Sequence, residues 1–555
     1  MKRLIKNGTI IDGTGAPAFV GDVLVDGDRI AAVESISVGL GSDAKRPNAT
    51  LMDFNADEVI DAGGCLVTPG FVDAHTHSDA YLVLEPDAPS KITQGVTTEI
   101  NGQCGGSIAP RYGEARLSSD WATLLGEKLS WRSLAEYREV LSAAKPAVNT
   151  VQFIGHNTLR SSVVGYAGRE CTRDELSAMT RLLERSLEEG GWGLSTGLIY
   201  QPGKYSTPEE VVALAKATAA KGGYYATHMR SEGDRILEAI DEVIELVKQT
   251  GIKAEISHLK TSGKRNWNKI DAVLEKIEGA MSDGLLLGSD RYPYCAAGTD
   301  LDIVLPDWAQ EGGVPAEQLR VRSEELRVKM VEEINASDRD WSTVMIGGTW
   351  HPDNKRYSGH YVSDILGEAK QSLYGERPAS LPSRVARGTM KGLTPGELIV
   401  SILEKDGFKT GGFFFGMSEE NLAKIYSRPW IVPGSDASLR APWGPLGTDH
   451  PHPRAYATMP EFYRRVRELG FSREETIARM TSVPCNRFGI KNRGRIAAGA
   501  FADIVVVREE KFKAKSTFDN PHQFTDGVEL VMVNGSVPYR AGRFTGDRGG
   551  RFLER

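Results

Sequence analysis

Cysteine is scarce in this chain: Cys65, Cys104, Cys171, Cys295 and Cys485 are the five among 555 residues, an odd number without CxxC spacing. That argues against a disulfide framework and a zinc knuckle, and makes a reducing cytoplasm the expected home. Long apolar runs are missing too. None approaches the about 18 residues needed to cross a bilayer, and the N-terminus meets Lys6 before any apolar stretch, so neither membrane insertion nor secretion is expected. Nor is there an excess of one charge: 67 basic and 74 acidic residues leave a net charge of -7, with no basic stripe to suit nucleic acid or an anionic membrane. A soluble enzyme acting on a small molecule fits what remains.

The length exceeds the roughly 250–300 residues at which single cores stop growing, so more than one domain is expected. The first sixty residues alternate short β-type runs with Asn-Gly and Asp-Gly turns, as in Lys6-Asn7-Gly8 and Asp26-Gly27, and the end of the chain repeats that texture in Ile504–Val507 and Leu530–Gly535. Between them, strand-like runs alternate with helical patterns such as Arg173–Glu189, Pro208–Lys221, Arg235–Gln249 and Ile270–Met281, the βαβα order of a parallel sheet. Eight candidate strands, at 66–73, 96–101, 149–155, 193–199, 223–227, 253–257, 284–289 and 430–435, are the number that closes a TIM-like (β/α)8 barrel. The fold class is therefore α/β. Residues 1–64 and 491–555 read as two parts of one β-sandwich, 65–303 as barrel strands one to seven, 304–428 as an inserted subdomain or lid, and 429–490 as the eighth strand with its closing helix.

The chemistry collects where these apolar runs end. His75 and His77 follow Gly70–Ala74 at i, i+2, and alternate residues of a strand face the same way, so both imidazoles aim at one metal ion. Cys104, His228, His258 and Asp436 each end a later run, and barrel active sites gather at such ends. The pattern is that of a metallohydrolase, since bound zinc lowers the pKa of its water from ~15.7 to about 7. His75 and His77 suit one metal position, and His228 and His258 a second. Many barrel hydrolases with this HxH pair bridge two ions through a carboxylated lysine ending the fourth strand, but here Gly193–Tyr200 contains none. The Cys104 thiolate could bridge or anchor an ion instead. Asp436 suits the general base and acid roles.

These segments carry a resemblance. PGFVDAHTHSD at 69–79, GVTTEINGQCGGSIAP at 95–110, ATHMRSEG at 226–233, EISHLK at 255–260, GSD at 434–436 and HPHPR at 450–454 are similar to the N-acyl-D-amino-acid deacylase (D-aminoacylase) family of the amidohydrolase superfamily. The resemblance implies zinc-dependent hydrolysis of an N-acyl-D-amino acid to a carboxylate and a free D-amino acid. It implies one tightly bound zinc on Cys104, His228 and His258, and an adjacent, weaker position on His75, His77 and Asp436, with Asp436 as catalytic acid and base. Lys260, Tyr292 or Tyr294, and Arg454 match positions that grip the substrate α-carboxylate, and Tyr200 one that contacts substrate. His450 and His452 read as loop-shaping. The connection from Asp436 to Arg454 is longer than the family pattern, so Arg440 could assist or replace Arg454, and the choice between neutral and acidic D-amino acids stays open, as does homo-oligomerisation. The alternative on the same barrel is a cyclic-amide hydrolase of the hydantoinase or dihydroorotase kind, with the missing lysine and the presence of Cys104 against it, or a specialised amide or dipeptide hydrolase.

Overall fold

A computed structural model of the chain describes residues 1–36, 56–117, 121–367 and 392–555. The parts of the expected sandwich at 37–55 and of the expected insertion at 368–391 lie outside the described residues.

Both termini build one nine-stranded sheet. Lys2–Ile10 pairs with Phe19–Asp26, which pairs with Arg29–Ser35, and on the other side the sheet continues through Leu66–Pro69, Ile504–Val507, Val528–Val533, Ser536–Arg540 and Arg543–Phe544. Alternation explains why the C-terminal strands read as continuous apolar runs. Ile504, Val506, Leu530 and Met532 join Ile5, Val23 and Val25 in a core enclosed by the sheet itself, while Val505, Val507, Val531 and Val533 face the barrel core. The turn at Asn534-Gly535 requires its glycine: φ is +79°, and a Cβ there would lie 1.9 Å from the Gly27 carbonyl in the turn between Phe19–Asp26 and Arg29–Ser35.

The barrel strands are Phe71–Asp73, Val96–Asn101, Asn149–Gln152 continuing as Ile154–Gly155, Gly193–Gly197, Tyr224–His228, Lys253–Ile256, Leu287–Arg291 and Ile431–Pro433. Parallel ladders join each to the next, and the last meets the first through Ala74 N donating to Pro433 O at 3.1 Å. Outer helices bury the stripe that a 3.6-residue period dictates. Ile236–Thr250 buries Ile236, Ala239, Ile240, Val243, Leu246 and Val247, and ends at Gly251 with φ +65°. Each large aliphatic side chain withdrawn from water this way contributes roughly 1.5–3 kcal/mol. Arg173–Glu188 starts on a capping box of Thr172 and Glu175.

Several boundaries differ from the sequence reading: the seventh strand, expected at 284–289, is Leu287–Arg291, and the layer expected from 304 already includes the strand Ala296–Asp300. The run 66–73 is two strands, because Leu66–Pro69 pairs with the terminal sheet and only Phe71–Asp73 enters the barrel. Gly70 lies between, where a Cβ would fall 2.0 Å from Thr97 Oγ1. After the seventh strand lies an added layer, with an antiparallel sheet of Ala296–Asp300, Gly411–Phe415 and Val344–Ile346 and a separate core around Met330, Ile334, Ile346, Leu398 and Ile402. The helix Glu419–Tyr426, however, places Leu422, Ile425 and Tyr426 in the barrel core, so it belongs to the outer ring and the added layer ends before 428. Among the described residues no helix is long and apolar enough to cross a membrane.

Candidate metal centre

His75 and His77 lie just past the first barrel strand, Cys104 past the second, His228 at the end of the fifth, His258 past the sixth and Asp436 past the eighth. Their donor atoms converge. Cys104 Sγ lies 3.3 Å from both His75 Nε2 and His258 Nε2. Asp436 Oδ1 lies 3.1 Å from His77 Nε2 and 3.4 Å from His75 Nε2. One donor atom each from His75, Cys104, His258 and Asp436 all fall within 4.8 Å of one another, and His228, Glu232 and His258 form a second such group. The His228 ring sits 4.6 Å from that of His258. Both its nitrogens are buried and without a hydrogen-bond partner among the described residues, although Glu232 Oε2 comes within 3.6 Å. Buried imidazole nitrogens are costly when unpaired, and a borderline-soft cation such as zinc suits this mixture of nitrogen, sulfur and carboxylate donors.

The backbone is strained where the donors are presented. Cys104, His258 and Asp436 have φ of +52°, +38° and +50°, in the left-handed region that non-glycine residues avoid, each at a cost of order 1–3 kcal/mol. Neighbouring strands hold these turns. Gly197, ending the fourth strand, packs so closely that a Cβ would lie 2.0 Å from Cys104 O. Electrostatics favour a thiolate and a carboxylate: burial pushes the Cys104 thiol up, but the charges of His75 and His258 prevail and hold it well below an ordinary thiol. Burial likewise opposes ionisation of Asp436, and Arg454 beside it holds its carboxyl well below the usual range.

The residues expected to bind substrate divide. A cavity of about 860 Å³ opens over the centre, lined by His77, Cys104, Tyr200, Asp436, Arg440 and Arg454 among others, with Thr299 and Gln318 reaching in from the added layer. Tyr200 packs 4.9 Å from the His228 ring, and burial pushes its phenol well above its ordinary value, so it keeps its proton. Arg454 donates from Nη1 to Asp436 Oδ2 at 2.8 Å and from Nη2 to Gly298 O at 3.1 Å. Lys260 Nζ lies 2.8 Å from His258 Nδ1 and is paired with Glu232. Arg440 is paired with Asp449 at 3.0 Å and lies over the Tyr81 ring, so its charge is already answered within the protein. Tyr292 is fully buried, with the guanidinium groups of Arg291 and Arg454 over its ring. Tyr294 is not brought to the centre. Its ring packs on His452 and Phe518 and its hydroxyl is buried without a partner among the described residues, because the chain turns away at Pro293. His452 accepts Arg454 N at 3.0 Å and bonds Ala296 O, which fixes the loop that presents Arg454.

Two residues that the sequence reading passed over touch the donors. Glu232 Oε1 stands 3.0 Å from His258 Nδ1. Asp290 sets Oδ2 3.3 Å from His75 Nδ1 and accepts His258 N on Oδ1 at 3.0 Å. A signal for Asp290 was available, since Gly288-Ser289-Asp290 at the end of the seventh strand repeats Gly434-Ser435-Asp436 at the end of the eighth.

The model of the amidohydrolase family matches residues 58–349 and 416–539. The chain is 31% identical to the D-aminoacylase of Alcaligenes xylosoxydans xylosoxydans, over 100% of this chain and 97% of that protein. It is 30% identical to the N-acyl-D-glutamate deacylase of the same organism, over 97% and 93% respectively. A crystal structure of the N-acyl-D-glutamate deacylase of Bordetella bronchiseptica, complexed with zinc and a phosphonate mimic of the tetrahedral intermediate, matches with a TM-score of 0.78 and 29% identity, over 100% of this chain and 99% of that one.

Proposed function

Because the chain belongs to the amidohydrolase family, within its D-aminoacylase branch, we propose that it hydrolyses the amide bond of N-acyl-D-amino acids, releasing a carboxylate and a free D-amino acid. Zinc on Cys104, His228 and His258, with His75, His77 and Asp436 as an adjacent weaker position, would supply Lewis acidity and ease the ionisation of a water. Asp436, ionised beside Arg454, takes a proton from the attacking water and hands it to the amide nitrogen, which leaves as the amine. Tyr200 keeps its phenolic proton and donates it in a hydrogen bond to the amide oxygen as charge gathers there. Arg454, which lines the cavity, draws in the substrate α-carboxylate through its planar fork, and Lys260, buried and paired with Glu232, adds its point charge from behind His258. The terminal sheet acts as a β-sandwich domain anchoring the first strand, and the added layer as a lid that excludes water.

The observation that carries this reading is the approach of donor atoms from His75, Cys104, His258 and Asp436, from four different strand ends, to within 4.8 Å. Its test is metal analysis of the purified protein, then a panel of N-acetyl and N-formyl D- and L-amino acids with a hydantoin. Turnover of D but not L substrates, lost on chelation and regained with zinc, is expected. Turnover of the hydantoin alone, or of none of the panel with metal bound, would overturn it.

A further inference from the structure

The barrel is laddered at every joint but one. Among the described residues, Phe71–Asp73 and Ile431–Pro433 share no ladder. They meet through Ala74 N to Pro433 O at 3.1 Å and, above the strand ends, through Asp436 N to His75 O at 2.8 Å and His77 N to Ala437 O at 3.3 Å. Asp436 therefore sits in a seam whose two strands share no ladder and are joined above their ends by a single bridge between Thr76 and Ala437, on a turn with φ +50°. Something else must hold it, because a carboxylate that moves protons has to keep its place to a fraction of an ångström.

A fully buried lysine crosses that seam. Lys91, from the short helix Pro89–Ile92 between the first two strands, has no solvent exposure. Its Nζ donates to Asp73 Oδ2 at 2.8 Å, Ser435 Oγ at 3.0 Å and Ala437 O at 3.1 Å, and lies 3.2 Å from Glu99 Oε1. Asp73 completes the grip by accepting Ser435 N on Oδ1 at 2.7 Å. One ammonium thus touches the first strand, the second strand and both residues flanking Asp436. Burying a charged cluster is a poor way to gain stability and a good way to fix one arrangement. An apolar contact could close the seam but could not bond a carbonyl, a hydroxyl and a carboxylate together.

We propose that Lys91 is a positioning residue: by clamping Ser435 and Ala437 to Asp73, its ammonium holds the Asp436 turn in register with His75 and His77. This rests on the acid and base role given above to Asp436. It acts through Asp436 alone, which separates it from a general structural lysine.

The test is a double-mutant cycle on the zinc-loaded enzyme, paired with hydrogen exchange. Lys91→Met is expected to lower kcat on the order of 100-fold, as a misplaced group does, with KM changed less than about 3-fold and the tightly held zinc retained. In an Asp436→Asn background the same substitution is expected to cost less than about 2-fold, because the two act as one unit. Amides of residues 431–440 are expected to exchange faster in Lys91→Met, while those of 504–507 in the terminal sheet do not. Equal losses in both backgrounds, or unchanged kcat and exchange, would overturn the proposal. Should Lys91→Met fail to fold, Ser435→Ala removes one contact of the clamp and is expected to give a smaller loss with the same dependence on Asp436; full activity in that variant refutes the clamp. If the wild-type protein turns over no N-acyl-D-amino acid, the functional reading has failed, and the exchange measurement still decides the clamp.

Discussion

Replacing Glu232 by glutamine keeps the side chain's shape and removes its charge, which isolates what that charge does for the metal centre. Glu232 stands with Oε1 3.0 Å from His258 Nδ1 and Oε2 3.6 Å from His228 Nε2, so it touches two donors of one trio at once. Its charge answers the Lys260 ammonium, which stands 2.8 Å from His258 Nδ1, while His258 Nε2, 3.3 Å from Cys104 Sγ, faces the centre. A hydrogen bond to a charged group contributes about 1.5–3 kcal/mol, and each 1.4 kcal/mol is about tenfold in affinity. Glu232→Gln should therefore weaken zinc binding roughly 10–100-fold, the range found when partners of metal-bound histidines are removed. The loss should be largely recovered in excess zinc. The assay is zinc content across a chelator series, with Glu238→Gln as control, since the Glu238 side chain is 62% exposed and paired with Arg235 at the surface. Equal chelator midpoints for Glu232→Gln and wild type would refute the reasoning.

Cys104→Ala should remove the anchoring thiolate and with it the tightly held zinc, read by metal analysis after dialysis; full zinc occupancy would contradict that assignment. Asp436→Asn should keep that zinc and lose about 10²–10⁴-fold in kcat, the usual share of a proton-transferring group, read by steady-state kinetics. Where the added layer meets the cavity, burial lifts the Glu317 carboxyl to about 9, with Asp302 beside it also raised. The folded protein then keeps a proton that the unfolded chain releases near 4.5. The resulting stability is full below that pH and fades as pH climbs toward 9, by up to about 1.4 kcal/mol per pH unit. Glu317→Gln should flatten this fall, and melting at pH 6 and 8 that drops equally in variant and wild type would rule it out.

Much of this architecture is written in local pattern. The i, i+2 spacing of His75 and His77, and the polar residue closing each apolar run, follow from strand geometry and need no tertiary information. The outer helices are legible for the same reason, as in the stripe from Ile236 to Val247. What the sequence hid depends on partners far along the chain. Leu66–Pro69 and Phe71–Asp73 read as one continuous, largely apolar run, so only pairing reveals that they serve different sheets. Glu419–Tyr426 follows the added layer directly, and nothing local assigns it to the barrel. Glu232 and Lys91, the latter in a helix of four residues, carry no local signal of the partners they meet. Tyr294 looked equivalent to Tyr292, yet across Pro293 both rings meet His452 while Arg291 and Arg454 lie over Tyr292.

The split at Gly70 has a practical consequence for anyone cutting the protein. A single eight-residue length of backbone is a middle strand of the terminal sheet at one end and, at the other, the stem on which His75 and His77 stand. Trimming either terminus strips hydrogen-bonding neighbours from that stem, so the outlying sheet is no removable accessory. A truncated enzyme should lose its grip on the weaker metal position before it loses its fold, and grafting this barrel into another protein would have to bring both chain ends with it.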